Sequence, residues 1–340
     1  MKKNKFNVCL VGVGAVGIEM LRVLKQRKFP IDKLRIFARS ARNINIDGIT
    51  YSVEPISNEG FEGIDIALFA GTEGEKGAAV TYAQEAVKRG AVVIDNGADF
   101  RMDPNVPLVV PEVNAKDVKS HKGIIANPNC STIQMVVALW PIYKKFGLKR
   151  VIVTTLQASS GAGKQAVDQL KTEISKIAAE GFNNINIDLE NKAMAQQLAY
   201  NVFPHIGGFS DGGYTSEEWK LVKETHKIMH DNKIKISATT VRVPVRTGHS
   251  ESVYIETKEI ASPDQVRNLL SKSPGIIVID DLKNNLYPMP KDVEGKDETF
   301  VGRIRSDFFV KNGLWLWVVA DNLRKGAATN AVQIAETLIR

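Results

Sequence analysis

Cysteine is scarce in this chain of 340 residues, and long apolar runs are missing. The two cysteines, Cys9 and Cys130, make no disulfide framework, and neither lies in a CxxC or Cys/His spacing, so the sequence predicts no metal site. No stretch approaches the roughly 20 apolar residues that span a bilayer, and the chain begins with a strand pattern rather than a signal peptide. We therefore expect a cytoplasmic protein without a membrane partner, with Cys9 as a buried core thiol.

Charge is in modest excess of one sign. The chain carries 45 Lys and Arg against 38 Asp and Glu, for a net charge of +7. The basic residues are scattered and form no stripe or run, which argues against a nucleic-acid partner and favours anionic small molecules. The length, with 44% hydrophobic and 24% charged residues, is typical of a globular protein with two domains.

Two periodicities alternate between residues 6 and 96. Short apolar runs rich in Val, Ile and Phe predict strands, and helical spacing separates them. The predicted strands are 6–12, 33–38, 65–71 and 91–96, and the predicted helices are 15–28 and 76–89. Strands separated by helices indicate βαβ units and a parallel sheet.

A glycine motif lies between the first strand and the first helix. It reads GVGAVG, with Gly12, Gly14 and Gly17 around Ala15 and Val16. In this context the glycines permit a tight turn and let a pyrophosphate approach the helix N-terminus. The motif therefore predicts a dinucleotide site.

The residues after the second strand indicate which dinucleotide is bound. An NAD site usually has Asp or Glu there for the ribose hydroxyls, but this chain has Arg39, Ser40 and Arg42. Positive charge and a hydroxyl suit the 2′-phosphate of NADP. The alternative is a pair of solvated arginines at the surface.

Cys130 stands where an extended run meets a helix, in IANPNCSTIQMVVALWP. Pro128 disfavours helical geometry at Asn127, and a helix follows until Pro141 is expected to interrupt it. The helix N-terminus stabilises a thiolate, and its free N–H groups can hold an oxyanion. We interpret Cys130 as a candidate nucleophile, the alternative being a small buried residue at a helix start.

A nucleophilic thiol usually needs an acid or base beside it. Of the five histidines, His249 differs, because it lies between the predicted strands 238–246 and 252–260. The others, in lysine-rich or loop contexts, are His121, His205, His226 and His230. His249 is therefore the candidate partner.

Two further groups of charged residues, at 217–220 and at 242–246, can each be interpreted in more than one way from spacing alone. Thr215 and Glu218 form a capping box, which leaves Glu217 free to pair with Lys220 on one helical face. By spacing alone that pair reads as an exposed ion pair. Arg242 and Arg246 share a strand face by the period of two, so spacing does not choose between them.

Several motifs, in order from about residue 6 to the C-terminus, resemble the bacterial-type aspartate-semialdehyde dehydrogenases. In chain order they are LVVPEVN, IANPNCSTIQ, VRVPVRTGHSESVYIE, LYPMP, FVGRIRSD and LWVVADNLRKGAATNAVQIAE. The resemblance implies NADPH-dependent reduction of L-aspartyl 4-phosphate to L-aspartate 4-semialdehyde with release of phosphate. That reaction leads to lysine, diaminopimelate, threonine and methionine.

The resemblance also implies a fold and a domain division. It is an α/β fold, with an N-terminal Rossmann-like NADP-binding domain and an α+β catalytic and dimerisation domain of the semialdehyde dehydrogenase and glyceraldehyde-3-phosphate dehydrogenase kind. Residues 1–128 and 322–340 would bind NADP, and 129–321 would supply catalysis and the interface of a homodimer or a tetramer. The last segment is expected to be a helix beginning near Asn322.

Roles follow by resemblance, position by position. Cys130 is the nucleophile that forms a thioester, and His249 is its acid/base. Arg101 and Asn129 bind the phosphate, and Arg242 clamps the substrate α-carboxylate. The other matching substrate residues are Gln157, Glu217 for the amine and Lys220 for the phosphate. The remaining cofactor positions are Ser160, Gly161, Asn322 and Gly326.

Two features depart from the family. The first glycine loop is one residue shorter than GATGAVG, and Asp99 places a negative charge two residues before Arg101. The alternative enzyme is a related acyl-phosphate reductase, such as one for N-acetylglutamyl phosphate, but an acetylated substrate would leave Glu217 without a cation to bind. A non-enzymatic relative is the other alternative, and the presence of both Cys130 and His249 argues against it.

Overall fold

The computed structural model describes residues 4–71, 77–190 and 192–340. The chain divides into two compact units, one comprising Met1–Asn129 with Ala327–Arg340 and the other Cys130–Gly326. Within the described residues, the first unit holds a seven-stranded sheet and the second a six-stranded sheet. The α/β fold class predicted from the sequence is confirmed.

The first unit is built on a largely parallel sheet. Its strands are β1 (Phe6–Val11), β2 (Ile31–Ala38), β3 (Arg42–Ile46), β4 (Ile49–Pro55), β5 (Ile66–Phe69), β6 (Val92–Asp95) and β7 (Ile124–Ala126). Its helices are α1 (Ala15–Gln26), α2 (Ala78–Lys88), α3 (Pro111–Asn114) and α9 (Thr329–Ile339). The strand order is β3-β4-β2-β1-β5-β6-β7, and β3 pairs with β4 antiparallel.

Apolar periodicity explains this unit. β1 lies between β2 and β5 in parallel register, so its last four residues are buried. Cys9 is fully buried there, and burial raises the pKa of its thiol, which confirms it as a core residue. The first predicted helix is α1, and the second is α2, although residue 76 of that prediction lies outside the described residues.

The second unit has a mixed sheet. Its strands are β8 (Leu148–Gln157), β9 (Lys235–Arg242), β10 (His249–Thr257), β11 (Ile276–Val278), β12 (Thr299–Ser306) and β13 (Gly313–Ala320). Its helices are α4 (Cys130–Phe146), α5 (Lys164–Ala179), α6 (Ser216–Met229), α7 (Pro263–Leu270) and α8 (Pro290–Val293). The order is β11-β12-β13-β10-β8-β9, and α4 packs on its central strands.

The prediction that Pro141 interrupts the cysteine helix is wrong. α4 continues through it to Phe146. Proline removes one backbone donor, but the residues around it, including Val137, Leu139 and Ile142, are buried. Tertiary packing of that apolar surface maintains a helix that local propensity alone would end.

Three other boundaries differ from the sequence predictions. The sequence also has a helical pattern over residues 164–198, but α5 ends at Ala179, because Gly181 adopts φ +60° and an asparagine-rich stretch follows. The strand predicted to reach residue 246 ends at Arg242, since Pro244 cannot donate to a ladder. After β13, a π-helical turn at Arg324–Ala328 precedes α9.

Across the described residues, every helix is too short or too polar to traverse a lipid bilayer.

Candidate active site

The glycine loop connects β1 to α1 in the first unit. Gly12 has φ +99°, and a Cβ there would lie 2.8 Å from the Ala70 carbonyl oxygen. A Cβ on Gly17 would lie 2.0 Å from the Gly12 carbonyl oxygen, so both positions demand glycine. A Cβ on Gly14 would meet nothing within 4 Å. Gly14 therefore leaves the N-terminal end of α1 open to a ligand.

A cavity of about 790 Å³ lies at this loop, beside the carboxyl ends of β1, β2 and β5. Arg39, Ser40 and Arg42 line one side of it and are exposed, and Arg42 Nη1 lies 3.3 Å from Ser40 Oγ. Ala15 and Val16 begin the helix whose N–H groups face the loop. A glycine cradle, the N-terminal end of a helix and nearby cations fit a dinucleotide at the point where strand order reverses.

The first unit also contains a polar network, in the segment of chain that precedes Cys130. Arg101 is buried, and its guanidinium donates to the carbonyl oxygens of Asn127 and Asn96, both at 2.9 Å. The Asn127 side chain donates to Asn96 Oδ1 at 2.6 Å and accepts from Asn330 at 2.7 Å. Asn129, also buried, ends this unit. The network holds both Arg101 and the segment that leads into α4.

Cys130 is the first residue of α4 and is partly exposed. A Cβ on Gly326 would come within 2.9 Å of the Cys130 Cβ, so a side chain at position 326 would press on the nucleophile. The position of the thiol at the start of a long helix agrees with the sequence prediction. Glycine at 326 thus keeps the surroundings of the thiol clear.

His249 begins β10 and is fully buried. Its Nδ1 accepts a hydrogen bond from the Ala158 N–H at 3.0 Å, so the neutral ring carries its proton on Nε2. Within the described residues Nε2 has no hydrogen-bond partner, and a Cβ on Gly161 would lie 3.0 Å from it. Burial, assisted by the Arg242 charge and opposed by Glu217, lowers the pKa of His249 to about 3. The ring is therefore neutral at physiological pH.

The structure separates the two arginines that spacing left equivalent. Arg242 is 4% exposed, donates to the Ala158 carbonyl oxygen, and has an Nε without a partner among the described residues. Burial lowers the pKa of its guanidinium, while the charges of Cys130 and Glu217 raise it. Arg246 has a side chain that is 66% exposed and pairs with Glu294. Only Arg242 belongs to the cluster around the thiol.

The helix α6 presents the carboxylate–amine pair. Its predicted capping box is confirmed, with the Thr215 N–H donating to Glu218 at 2.8 Å. Glu217 Oε2 lies 3.2 Å from Lys220 Nζ, and Glu217 Oε1 accepts from Gln157 at 3.2 Å. The Glu217 side chain is only 8% exposed, so the reading as an exposed surface pair is wrong. Gln157, Glu217 and Lys220 form one connected group.

Asn322 connects two loops of the second unit. Its side chain exchanges hydrogen bonds with Ser160 Oγ at 3.0 and 3.1 Å, and its Oδ1 accepts from the Gly248 N–H at 2.9 Å. Gly248, with φ +94°, immediately precedes His249. Ser160 and Asn322 therefore fix the turn that presents the histidine.

Sequence reasoning missed groups that carry no motif. The Ala158 main chain both donates to His249 and accepts from Arg242, a role independent of its side chain. Two buried polar side chains behind the site, Gln134 and Glu251, were also missed. Glu251 lies between His249 and the predicted strand 252–260, and no sequence pattern marked it or Gln134 as buried.

The first unit has a parallel sheet with a glycine cradle. The second unit has a thiol at a helix start, a buried neutral histidine and a buried arginine. Together these features define a class of protein. It is that of nicotinamide-dependent dehydrogenases that act on aldehydes through a cysteine.

Comparison with known proteins narrows the class. Residues 7–121 match the family model described as semialdehyde dehydrogenase, NAD binding domain, and residues 139–325 match semialdehyde dehydrogenase, dimerisation domain. The chain is 52% identical to the aspartate-semialdehyde dehydrogenase of Aquifex aeolicus, over 98% of both chains. It is 50% identical to that of Bacillus subtilis, over 98% of this chain and 97% of the relative.

A solved structure agrees with these relatives. The aspartate semialdehyde dehydrogenase II of Vibrio cholerae, solved in complex with ASA, matches 99% of both chains with a TM-score of 0.92 and 43% identity. The chain belongs to the semialdehyde dehydrogenase family, among its aspartate-semialdehyde dehydrogenases.

Proposed function

We propose that this chain catalyses the NADPH-dependent reductive dephosphorylation of L-aspartyl 4-phosphate to L-aspartate 4-semialdehyde. The enzyme serves the biosynthesis of lysine and diaminopimelate, threonine and methionine. The observation that carries the proposal is the buried cluster of the second unit, in which Arg242 is charge-coupled to both Cys130 and His249. It occurs in a chain 52% identical to a named enzyme of this activity.

Cys130 is the nucleophile. Its sulfur attacks the acyl carbon of the substrate, the C–O bond to phosphate breaks, and a thioester remains on the enzyme. Sulfur donates little resonance to a carbonyl, so the thioester accepts hydride readily, and a bound nicotinamide supplies that hydride. The resulting hemithioacetal releases the aldehyde and regenerates the thiolate of Cys130.

His249 acts on the tetrahedral intermediates. Because Ala158 donates to Nδ1, the neutral ring presents Nε2–H as a donor to an oxyanion. Accepting the thiol proton at Nε2 would require the other tautomer, which points an Nδ1 proton at the Ala158 N–H. In this state we therefore assign His249 to oxyanion stabilisation through a hydrogen bond from Nε2–H, the proton staying on the ring. Proton transfer to or from the ring would require the Nδ1 contact with Ala158 to be broken.

The substrate's charged groups have matching partners. Glu217, buried beside Gln157, accepts the α-amine, and Arg242, with its unpartnered Nε, binds the α-carboxylate. Lys220 binds the phosphate. The family resemblance assigns Arg101 and Asn129 to the phosphate as well. A buried carboxylate at position 217 favours a free amine over an N-acetyl group, because the acetylated nitrogen carries no positive charge for it to bind.

The chain uses a nicotinamide cofactor, and we propose that it is NADP. Support comes from Arg39, Ser40 and Arg42 on the wall of the loop cavity, which also lacks an acidic residue among its described lining. The glycine loop from Gly12 to Gly17 takes the pyrophosphate. The positions assigned to border the nicotinamide are Ser160, Gly161, Asn322 and Gly326.

Replacing both Arg39 and Arg42 by alanine should raise the KM for NADPH by roughly tenfold or more and should leave the KM for NADH little changed.

The domain roles and the assembly complete the proposal. The first unit binds NADP, and the second supplies catalysis and a subunit interface. We propose a homodimer, with a tetramer as the alternative, supported by the match to a dimerisation domain model. Sedimentation velocity distinguishes the two. Cys9 and Cys130, the proposed nucleophile, form no disulfide with each other, which suits a reducing compartment such as the cytoplasm.

The decisive assay runs the reaction in reverse. L-aspartate 4-semialdehyde and NADP should sustain NADPH formation over many turnovers only when inorganic phosphate is present, because phosphate must cleave the thioester before the next cycle. N-acetylglutamate semialdehyde, tested alongside, should give no turnover. Preferential turnover of the acetylated aldehyde would instead assign the chain to N-acetylglutamyl phosphate reduction.

A further inference from the structure

Glu251 is a buried carboxyl that the mechanism does not use. It is 0% exposed, and neither of its oxygens has a hydrogen-bond partner within the described residues. It lies on β10 two residues after His249, on the same face of the strand. The neighbouring strands place Thr155 and Val318 opposite it.

Gln134 is its neighbour on α4. It lies one helical turn after Cys130 and is also fully buried. Its Nε2 donates to the His249 carbonyl oxygen at 3.5 Å, which leaves Oε1 without a donor. The Gln134 side chain also interacts with the Glu251 carboxyl. The pair therefore lies between the helix that carries the thiol and the strand that carries the histidine.

An ionised Glu251 would leave three buried acceptor atoms and a negative charge without compensation. Apart from Glu251 itself and the two lysines of α4, the titratable groups of α4 and β10 are Cys130, Tyr143, His249, Tyr254 and Glu256. The cations of α4 and β8, on the elements packed against β10, are exposed: Lys144, Lys145, Lys149 and Arg150. One proton on the carboxyl removes the charge and supplies Gln134 Oε1 with the donor it lacks.

We propose that Glu251 is a neutral acid in the native enzyme and donates its proton to Gln134, acting as a positioning residue. The pair ties the first turn of α4 to the start of β10, and so fixes Cys130 relative to His249. Burial raises the pKa of Glu251 well above its ordinary value, and only a hydrogen bond from the Gln134 amide to an ionised carboxylate would act in the opposite direction. Only the kinetic consequence rests on the proposed function.

Protonation is tested directly on the full-length protein. The infrared difference spectrum between wild type and Glu251→Gln at neutral pH should contain the C=O band of a protonated carboxyl. Glu256→Gln, a partly exposed position on the same strand, is the matched control and should contain none. Absence of the band from the Glu251 difference spectrum overturns the proposal.

Stability as a function of pH gives an independent test. A carboxyl that stays protonated in the fold but ionises when unfolded makes the wild-type folding constant fall as pH rises above the ordinary pKa of 4.5. The ratio of folding constants, Glu251→Gln to wild type, should therefore rise about tenfold per pH unit from pH 5 towards neutrality. A flat ratio overturns the proposal, whereas Glu256→Gln should give a flat ratio.

The positioning role is tested by kinetics. Glu251→Gln retains a donor and should turn over near the wild-type rate. Glu251→Met and Gln134→Met should each lower kcat by roughly tenfold to a hundredfold with little change in KM, and the double variant should be no slower than either. Additive losses, or equal losses in Glu251→Gln and Glu251→Met, contradict the role. If the wild-type enzyme fails to turn over L-aspartate 4-semialdehyde, the proposed function fails, but the infrared band and the pH slope still decide the state of Glu251.

Discussion

The two units of this chain build their sites from different materials. The first unit uses main chain: Gly12 and Gly17 are required by carbonyl oxygens that approach within 3 Å of where a Cβ would be, and its cations at Arg39 and Arg42 are exposed. The second unit uses buried side chains around Cys130. The proposed nucleotide site thus depends on the backbone shape of the glycine loop, with solvent-exposed cations beside it. The proposed catalytic site depends on charged side chains that are largely buried from solvent.

That difference sets how strongly each site responds to substitution. Charges at the surface interact through water and salt and contribute little each. In the second unit, burial lowers the pKa of His249, and the nearby charges of Arg242 and Glu217 act on it in opposite directions. We therefore expect large, specific losses from single changes in the second unit and small, graded losses from changes in the first.

The largest effect should come from Cys130→Ala. Removing the nucleophile should lower kcat by roughly four orders of magnitude or more, while NADPH still binds in a fluorescence titration, because the glycine cradle lies in the other unit. Cys9→Ala is the control, since that thiol is a core residue of β1. Loss of NADPH binding in Cys130→Ala would show that the two sites are not separable in this way.

His249→Asn should follow. Asparagine keeps an acceptor for the Ala158 N–H but loses the Nε2 donor, so kcat should fall by about 100- to 10,000-fold. Alkylation of Cys130 by iodoacetamide should persist. An unchanged turnover rate would remove His249 from the mechanism.

The same histidine should make stability depend on pH. Its pKa is about 3 in the fold against an ordinary 6.5, so the unfolded chain binds more protons between those values. Stability is therefore full above about pH 6.5 and falls as pH is lowered towards 3, by up to about 1.4 kcal/mol per pH unit. Urea denaturation between pH 4.5 and 7 measures the slope, which His249→Asn should reduce. An equal slope in both proteins would contradict the lowered pKa.

Arg242, at the end of β9, and Arg246, four residues further on, allow a buried and an exposed arginine to be compared directly. Arg242→Ala should raise the KM for L-aspartate 4-semialdehyde roughly 10- to 100-fold, the scale of one charged hydrogen bond. Arg246→Ala, which removes only an exposed ion pair with Glu294, should change it less than about twofold. Equal effects at the two positions would mean that burial does not identify the carboxylate ligand.

The smallest effects should come from the glycine loop. Gly17→Ala places a Cβ 2.0 Å from the Gly12 oxygen and should lower the free energy of unfolding by about 1–3 kcal/mol. Gly14→Ala meets no protein atom within 4 Å and should leave stability within about 0.5 kcal/mol, while weakening NADPH binding. Thermal unfolding and a cofactor titration of both variants separate the packing glycine from the ligand-facing one.

The sequence predicted well whatever depends on local pattern. Short apolar strands between helices indicated the parallel sheet, and Thr215 with Glu218 indicated the start of α6. Where tertiary packing overrides local preference the predictions were wrong: α4 runs through Pro141 because its apolar surface is buried. The helical pattern over 164–198 also extended too far, because Gly181 adopts a positive φ and α5 ends at Ala179.

The candidate catalytic site was harder to predict from the sequence than the glycine loop. Spacing left Arg242 and Arg246 equivalent, because the end of β9 and the burial of one arginine are properties of the folded unit. The donor to His249 is the Ala158 main chain, for which no residue type is diagnostic. Glu251 reads as an ordinary alternating polar residue until α4 is packed over it.

The central claim, covalent catalysis at Cys130, is tested most directly by a single-turnover experiment in the reverse direction. Enzyme, NADP and L-aspartate 4-semialdehyde are mixed rapidly without phosphate, and NADPH is followed by absorbance. A thioester mechanism predicts a burst of about one NADPH per active site, then arrest until added phosphate restores steady turnover. Absence of the burst from active enzyme, with NADPH formed only once phosphate is present, would contradict a thioester that precedes phosphate attack.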